Sequence, residues 1–370
     1  MRSLPFIAAI ALLVPTSAVG KDTKCPDASG NSQEAVAHWR QTRDVECLRH
    51  SIFAEPEVSA HVAKKVIETP GGYEAVYAVA DASGFTPGAR NLRFQAASKA
   101  LGSATADEVS QARRALYRNV TESGDAIGSA ALLAREKAKS GDNPSALCGE
   151  LVEMKRAGQA LACIEGGGTA VDEATRFAVL RTQPSLTVDN IEALVPAGSS
   201  LVVAVHRCAA APLEVSWSGS DPEVPGVTIP PASSKIFSLL ADNATAPRAR
   251  CFLTLSAAGC VADILNGREC DSLDSVARYA ATLYRTSPQR EADAFVGSLF
   301  TAKNSVYQRI DTMPRARLAL FQLHLVLAHI YRTRSTPDPL GHDWSWHLHR
   351  AESFWAQLHQ GQPLPKELAP

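Results

Sequence analysis

The chain has 370 residues, of which 45% are hydrophobic and 20% are charged, and its formal net charge is −1. This length is enough for two or three domains with buried cores, and the hydrophobic content excludes a mainly disordered chain. Because neither sign of charge dominates and no basic patch stands out, we expect no nucleic-acid partner.

The first twenty residues have the pattern of a secretory signal peptide. Arg2 provides a positive start, residues 4–14 form a short apolar core, and small residues at Ala18 and Gly20 end the segment. The apolar run is about half of the roughly 20 residues that a membrane-spanning helix needs, so a cleaved signal is favoured over an anchor. We therefore predict an exported protein, periplasmic or secreted, that loses residues 1–20 and then has no membrane span.

The segment after the signal has the spacing of short amphipathic helices separated by turn residues. Valines recur every four residues from Val58 to Val66, as on one face of a helix. Thr105 and Glu108 have the spacing of a capping box, in which two side chains satisfy free backbone amide groups at a helix start. These patterns predict an α-helical array over residues 21–183.

The pattern changes in residues 184–258, where we predict a small antiparallel β-sandwich-like domain. Leu213 and Trp217 belong to an alternating apolar and polar run, which is typical of a half-buried strand. Residues 201–205 are continuously apolar and rich in β-branched side chains, as in a strand covered on both faces. Turn clusters separate these runs from three further predicted strands, at residues 227–229, 235–240 and 251–255.

Helical spacing returns in residues 259–363, which we predict to be an α-helical C-terminal domain followed by a tail at 364–370. Residues 318–331 are apolar almost all round, which indicates a buried central helix. The last helix has an apolar stripe that we expect to pack against it, formed by Trp344, Leu348, Ala351, Trp355 and Leu358. The predicted fold class is therefore mainly α with one small β domain.

The two C-terminal helices together resemble a tetratricopeptide (TPR) hairpin. Leu327, Ala328 and Tyr331 match the first helix of that motif, and the second helix is matched by Ala351, Trp355, Leu358 and Pro363. The connection is longer than in the motif, because Ser335–Gly341 is inserted between the halves. The resemblance covers these two helices alone and implies a protein-interaction scaffold.

All eight cysteines lie beyond the predicted signal. An even number in an exported chain favours disulfides, whereas a zinc site is disfavoured because no C-x-x-C pair occurs and the spacings are irregular. Cys148 and Cys163 can meet only if the helix between them turns near Gly158. The connectivity stays open from sequence, and we favour the nearest-neighbour pairs Cys25–Cys47, Cys148–Cys163, Cys208–Cys251 and Cys260–Cys270.

Histidines are concentrated near the C-terminus, since six of the ten lie between residues 324 and 359. His349 and Glu352 would share one face of a helix, which makes them the candidate metal ligands. His347 points to the other side of an ideal helix from His349, so one ion does not easily reach both. We expect these histidines to be structural or solvated rather than ligands.

The chemistry-bearing motifs that define common enzymes are missing from the sequence. There is no nucleophile elbow and no phosphate-binding loop, so we assign no catalytic residue and no cofactor. We therefore favour an exported, non-enzymatic scaffold or binding protein that contacts another protein or a cell-envelope component. The alternative is an envelope hydrolase, possibly metal-dependent, that uses the C-terminal histidine cluster.

Overall fold

The computed structural model describes Cys25 and residues 32–53, 56–84, 86–103, 105–122, 126–210, 213, 216–218 and 221–369. Within these residues the chain forms eighteen α-helices, one short 3-10 helix and one two-stranded antiparallel ribbon. The predicted signal peptide lies outside the described residues. The chain divides into two compact units, of which the first extends through Ala115 and the second begins at Leu116.

The first six helices follow one another with short connections. They are α1 (Ser32–Thr42), α2 (Val45–Phe53), α3 (Pro56–Ile67), α4 (Gly72–Ala82), α5 (Pro87–Ser103) and α6 (Ala106–Glu122). The predicted capping box at the start of α6 is formed. The Glu108 amide donates to Thr105 Oγ1 at 3.4 Å, and the Thr105 amide donates to Glu108 Oε2 at 2.9 Å. Local side-chain chemistry thus sets where this helix begins.

The remaining elements follow α6 in chain order. They are α7 (Ile127–Lys139), α8 (Ser145–Glu153), α9 (Ala157–Gly167), the 3-10 helix Gly168–Ala170, α10 (Glu173–Arg181), α11 (Val188–Leu194), α12 (Ser200–Ala210), β1 (Ser216–Ser218), β2 (Asp221–Glu223), α13 (Ser234–Asp242), α14 (Ala246–Leu265), α15 (Leu273–Thr286), α16 (Gln289–Gln308), α17 (Ala316–Arg334) and α18 (Trp344–Leu358).

The predicted β-sandwich of residues 184–258 is wrong. The described part of this segment forms α11, α12, α13 and the greater part of α14, and its only strands are the three-residue β1 and β2. A short apolar run has no periodicity that separates a buried strand from a buried helix. In residues 201–205 the helix is revealed by burial, because Val203 is 48% exposed while its neighbours are buried, namely Leu201, Val202, Ala204 and Val205.

Residues 251–255 were predicted to be a strand for a similar reason. They lie in α14, where every residue from Cys251 to Cys260 is buried. A helix that is enclosed on all sides needs no polar face, so its sequence resembles that of a covered strand. The tertiary packing of α14 therefore overrides the β-propensity of its residues.

The structure joins the eight cysteines in four disulfides between nearest neighbours, Cys25–Cys47, Cys148–Cys163, Cys208–Cys251 and Cys260–Cys270. Lys155 adopts a left-handed conformation with φ 58°, and the turn there brings α8 and α9 together as a hairpin. Cys208–Cys251 connects α12 to α14, not two strands. Four disulfides indicate an oxidising environment outside the reducing cytosol, consistent with export.

The central helix of the C-terminal region is α17, as its all-round apolar sequence predicts. It packs against α14, α15, α16 and α18, and almost all of its residues from Ala319 to Tyr331 are buried. No helix among the described residues has both the length and the apolarity required to cross a membrane.

Candidate functional site

The face of α18 that packs against α17 is shifted by about one residue from the predicted apolar stripe. His347, Ala351 and Phe354 are buried against α17, with exposed fractions of 0%, 0% and 7%. Of the predicted stripe, Ala351 alone is fully buried, because Leu358 is 37% exposed and the remaining members are half-buried on the flank, namely Trp344, Leu348 and Trp355. A polar side chain, His347, therefore occupies the centre of the α17–α18 contact.

His347 belongs to a chain of polar contacts that connects three helices. Its Nδ1 lies 3.2 Å from Nδ1 of His324 on α17. On its far side, His324 Nε2 lies 2.8 Å from the hydroxyl of Tyr307 on α16. His324 and His347 are completely buried, and a buried polar group costs free energy unless it is paired. The two imidazoles satisfy each other where α17 and α18 meet.

The other end of the chain is Asp338, in the connection between α17 and α18. Its Oδ2 lies 3.1 Å from His342 Nδ1 and 3.3 Å from His347 Nε2. The His347 contact is electrostatic, because the ring N–H is not aligned for a hydrogen bond. Asp338 Oδ1 accepts from the amides of Leu340 and His342, both at 2.8 Å. One carboxylate thus ties the whole connection to α18.

The bonding pattern assigns the protons along this chain. An ionised Asp338 favours the His347 tautomer with its proton on Nε2, so Nδ1 of His347 is the acceptor. His324 then donates from Nδ1 and accepts the Tyr307 hydroxyl proton at Nε2. Both Nδ1 atoms and His324 Nε2 are then used in hydrogen bonds, while His347 Nε2 faces the Asp338 carboxylate without forming one.

The surroundings favour neutral histidines. Burial lowers the pKa of His324 to about 2, and the neighbouring His347 and Lys303 contribute in the same direction. Burial, followed by the charge of Lys303, lowers the pKa of His347 to about 4, although Asp338 opposes this shift. Burial alone raises the pKa of Asp338, but hydrogen bonds from His342 and Leu340 outweigh it and the pKa is lowered. At neutral pH the cluster contains two neutral imidazoles and one carboxylate.

Lys303 and Arg350 add positive charge at the edge of the cluster. The Lys303 side chain is buried, and its ammonium lies 4.5 Å from the Phe300 ring centre and 5.9 Å from that of Trp346. Burial lowers the pKa of Lys303, while Asp338 raises it. Arg350 is exposed, lies over Trp346 at 5.7 Å and reaches the Tyr307 hydroxyl at 3.5 Å. These cations disfavour any further proton on the histidines.

The predicted metal pair lies on a different face of α18. His349 and Glu352 are both exposed, and His349 Nδ1 lies 2.9 Å from the Ser345 carbonyl oxygen. Neither residue belongs to a set of three candidate ligands in the part of the chain that the structure describes. Across the described residues, one such set has its ligand atoms within 4.8 Å of one another, and it is His38, Asp44 and Cys47 in the N-terminal unit.

Sequence reasoning missed the contacts of His324, His347, Asp338 and Tyr307. Helical spacing compares residues on one helix, and these four belong to three helices and a connection. One signal was present, since His324, like Gln322 and His329, interrupts a helix that is apolar almost all round. A histidine in such a helix requires a buried polar partner, but its identity depends on how the helices pack.

Some polar groups of this site are buried and others are accessible to solvent. His324 and His347 are sealed from solvent, so they hold helices together, while the accessible groups are Tyr307, His342 and Arg350. Comparison with known proteins assigns no family, because the chain matches no protein-family model, no curated protein and no solved structure.

Proposed function

We propose that this chain is an exported protein-binding scaffold, and that it contacts a partner protein through the connection between α17 and α18. The observation that carries this proposal is Leu340, which is 71% exposed on a connection that Asp338 holds in one conformation. An isolated exposed leucine is common on protein surfaces. A leucine on a backbone that is already ordered, however, loses little conformational entropy when a partner covers it.

The neighbouring side chains have the composition of a binding surface. His342 stacks on Trp346 with ring centres 3.9 Å apart, and Arg350 lies over the same indole. Tryptophan and arginine are enriched among residues that dominate interface energetics. The exposed Leu340 together with Arg350, which lies over Trp346, favours a partner that offers an apolar surface and carboxylates.

The resemblance of α17 and α18 to a TPR hairpin supports the same proposal. Four disulfides and the sequence pattern of residues 1–20 favour a periplasmic or secreted location for the interaction. The buried histidines contribute indirectly, because His347 and Asp338 lie 3.3 Å apart and connect the packed helices to the loop that presents Leu340.

The proposal is tested by affinity capture from the native envelope fraction with matched surface variants. Leu340→Asp should lose the captured partner, or weaken its binding about tenfold or more. Val203→Asp is the control, because Val203 is also an exposed aliphatic residue, at 48%, on α12. Retention of the same partner by Leu340→Asp would contradict the proposal.

Metal analysis of the purified protein tests the hydrolase alternative in the same preparation. A transition metal bound in stoichiometric amount and lost in His349→Ala, with no partner recovered by the wild type, would overturn the scaffold proposal. Equal metal content in the wild type and in His349→Ala, together with capture that depends on Leu340, would support it.

A further inference from the structure

The turn between α1 and α2 brings together four potential metal ligands. A ring nitrogen of His38, a carboxylate oxygen of Asp44 and Sγ of Cys47 all lie within 4.8 Å of one another. Cys25 completes the group, because its sulfur is bonded to that of Cys47 at 2.00 Å. Two sulfurs, one imidazole and one carboxylate therefore share one small volume in the N-terminal unit.

The local fold holds two of these ligands in place. Arg43 has a left-handed conformation with φ 57°, which ends α1 and reverses the chain. Asp44 Oδ1 then accepts from the amides of Glu46 and Cys47 at 2.9 and 3.2 Å. The carboxylate thus caps the start of α2 and is positioned beside Cys47.

His38 supplies an independent observation. Its Nε2 atom is buried and has no hydrogen-bond partner. A buried ring nitrogen without a partner is rare and costs free energy, and the same imidazole has a ring nitrogen within 4.8 Å of Cys47 Sγ. A metal ion bound by the neighbouring sulfurs would give this imidazole a role as a ligand.

We propose that reduction of Cys25–Cys47 creates a zinc site whose ligands are Cys25, Cys47, His38 and Asp44. Two thiolates, one imidazole and one carboxylate are four ligands of the types that Zn²⁺ takes in tetrahedral sites. In the oxidised protein the sulfurs are bonded to each other and cannot act as thiolates, which are the metal-binding form of cysteine. The disulfide therefore blocks the site.

The chemical step requires a dithiol reductant. One thiolate of the reductant attacks a sulfur of the Cys25–Cys47 bond and forms a mixed disulfide, and its second thiol displaces the protein sulfur. The protein gains two thiols while the reductant becomes a cyclic disulfide, so two electrons are transferred. Zinc binding then displaces the two thiol protons to solvent.

The experiment uses the full chain, reduced with dithiothreitol, freed of reductant without oxygen and titrated with zinc chloride. The protein is then alkylated, and each cysteine is quantified by peptide mass analysis. Zinc should protect Cys25 and Cys47 from alkylation, whereas Cys208 and Cys251 should react as fast with zinc as without it. His38→Gln should raise the zinc concentration for half-protection by about tenfold or more, since loss of even an outer partner of a metal ligand costs that much.

His50→Gln is the matched control, because His50 is an exposed histidine on α2, and its protection should equal that of the wild type. Circular dichroism checks that the reduced chain keeps its helices before zinc is added. Three outcomes would overturn the proposal: equal protection in His38→Gln, protection of all cysteines alike, or a reduced chain that has lost its helical structure.

Discussion

His324 and His347 face each other through their Nδ1 atoms at 3.2 Å, across the contact between α17 and α18. One of these nitrogens must donate and the other must accept, so the contact does not survive protonation of both rings. A proton added to either ring places a positive charge in a buried site near Lys303 and Arg350. The packing of α18 is therefore linked to pH.

We expect the protein to lose stability as the pH falls from about 6.5 towards about 4. The pKa of His347 is lowered to about 4 in the folded protein, so the unfolded chain takes up a proton first. The contribution of neutral His347 to the free energy of unfolding is complete above pH 6.5. It decreases by about 3 kcal/mol in total as the pH falls towards 4. Urea unfolding at several pH values measures this slope.

Three aspartates with lowered pKa values do not interfere in this range, whereas Asp263, whose pKa is raised by burial, opposes the loss as the pH falls. The pKa values of Asp338, Asp172 and Asp343 are lowered, so their stabilising contribution is lost at lower pH, below the ordinary range of an aspartate. His347→Gln should reduce the slope between pH 6.5 and 4.5, where His324 also contributes, whereas the exposed His349→Gln should leave the slope unchanged. An unchanged slope in His347→Gln would show that other groups cause the loss.

Truncation of Phe354 should destabilise the protein more than truncation of Trp355. Phe354 lies with His347 and Ala351 on the buried face of α18, here called the seam. Its replacement by alanine should cost about 3–5 kcal/mol. Trp355 is half-buried beside Phe321 and His359, so we expect a loss of about 1–2 kcal/mol. Chemical denaturation compares the variants with Ser353→Ala, an exposed control. Equal losses for the two aromatic residues would mean that the seam is misassigned.

Gly166 should not tolerate a side chain, because α7 and α9 cross closely there. An alanine Cβ at this position would lie 2.0 Å from the Ala131 carbonyl oxygen. We expect Gly166→Ala to lower the free energy of unfolding by about 1–3 kcal/mol. Gly149 on α8 is the matched control, since nothing lies within 4 Å of its Cβ position, and alanine there should stabilise the helix by about 0.5–1 kcal/mol. A neutral Gly166→Ala would contradict the close crossing.

Peptide mapping without reduction should recover the four nearest-neighbour disulfides and no free thiol. The structure pairs all eight cysteines with Cα separations of 5.1–5.5 Å, which is the usual spacing for this bond. Recovery of crossed pairs would contradict this connectivity. Free Cys25 and Cys47 beside three intact bonds would indicate that this disulfide is the most easily reduced.

Much of the helical structure was predictable because its causes are local. The capping box of Thr105 and Glu108 involves residues three apart, and the apolar character of α17 follows from its own composition. The favoured cysteine pairs are also close in sequence, with separations of 10 to 43 residues. The cap and the apolar run leave a readable pattern in a single chain, whereas the cysteine pairing stayed open from sequence and was favoured as the nearest-neighbour choice.

Tertiary structure decided whether residues 184–258 form helices or strands, and which residues form the histidine cluster. A buried helix and a buried strand both need apolar residues on all sides, so the runs in α12 and α14 had no distinguishing period. The partner of His324 lies 23 residues away on another helix, and a one-residue rotation of α18 decides whether His347 or Leu348 enters the seam. By itself the sequence determined which segments are apolar and where local caps and turns occur. The packing of α16, α17 and α18 decided which polar groups meet, because contact between helices depends on their relative rotation and not on the spacing within either one.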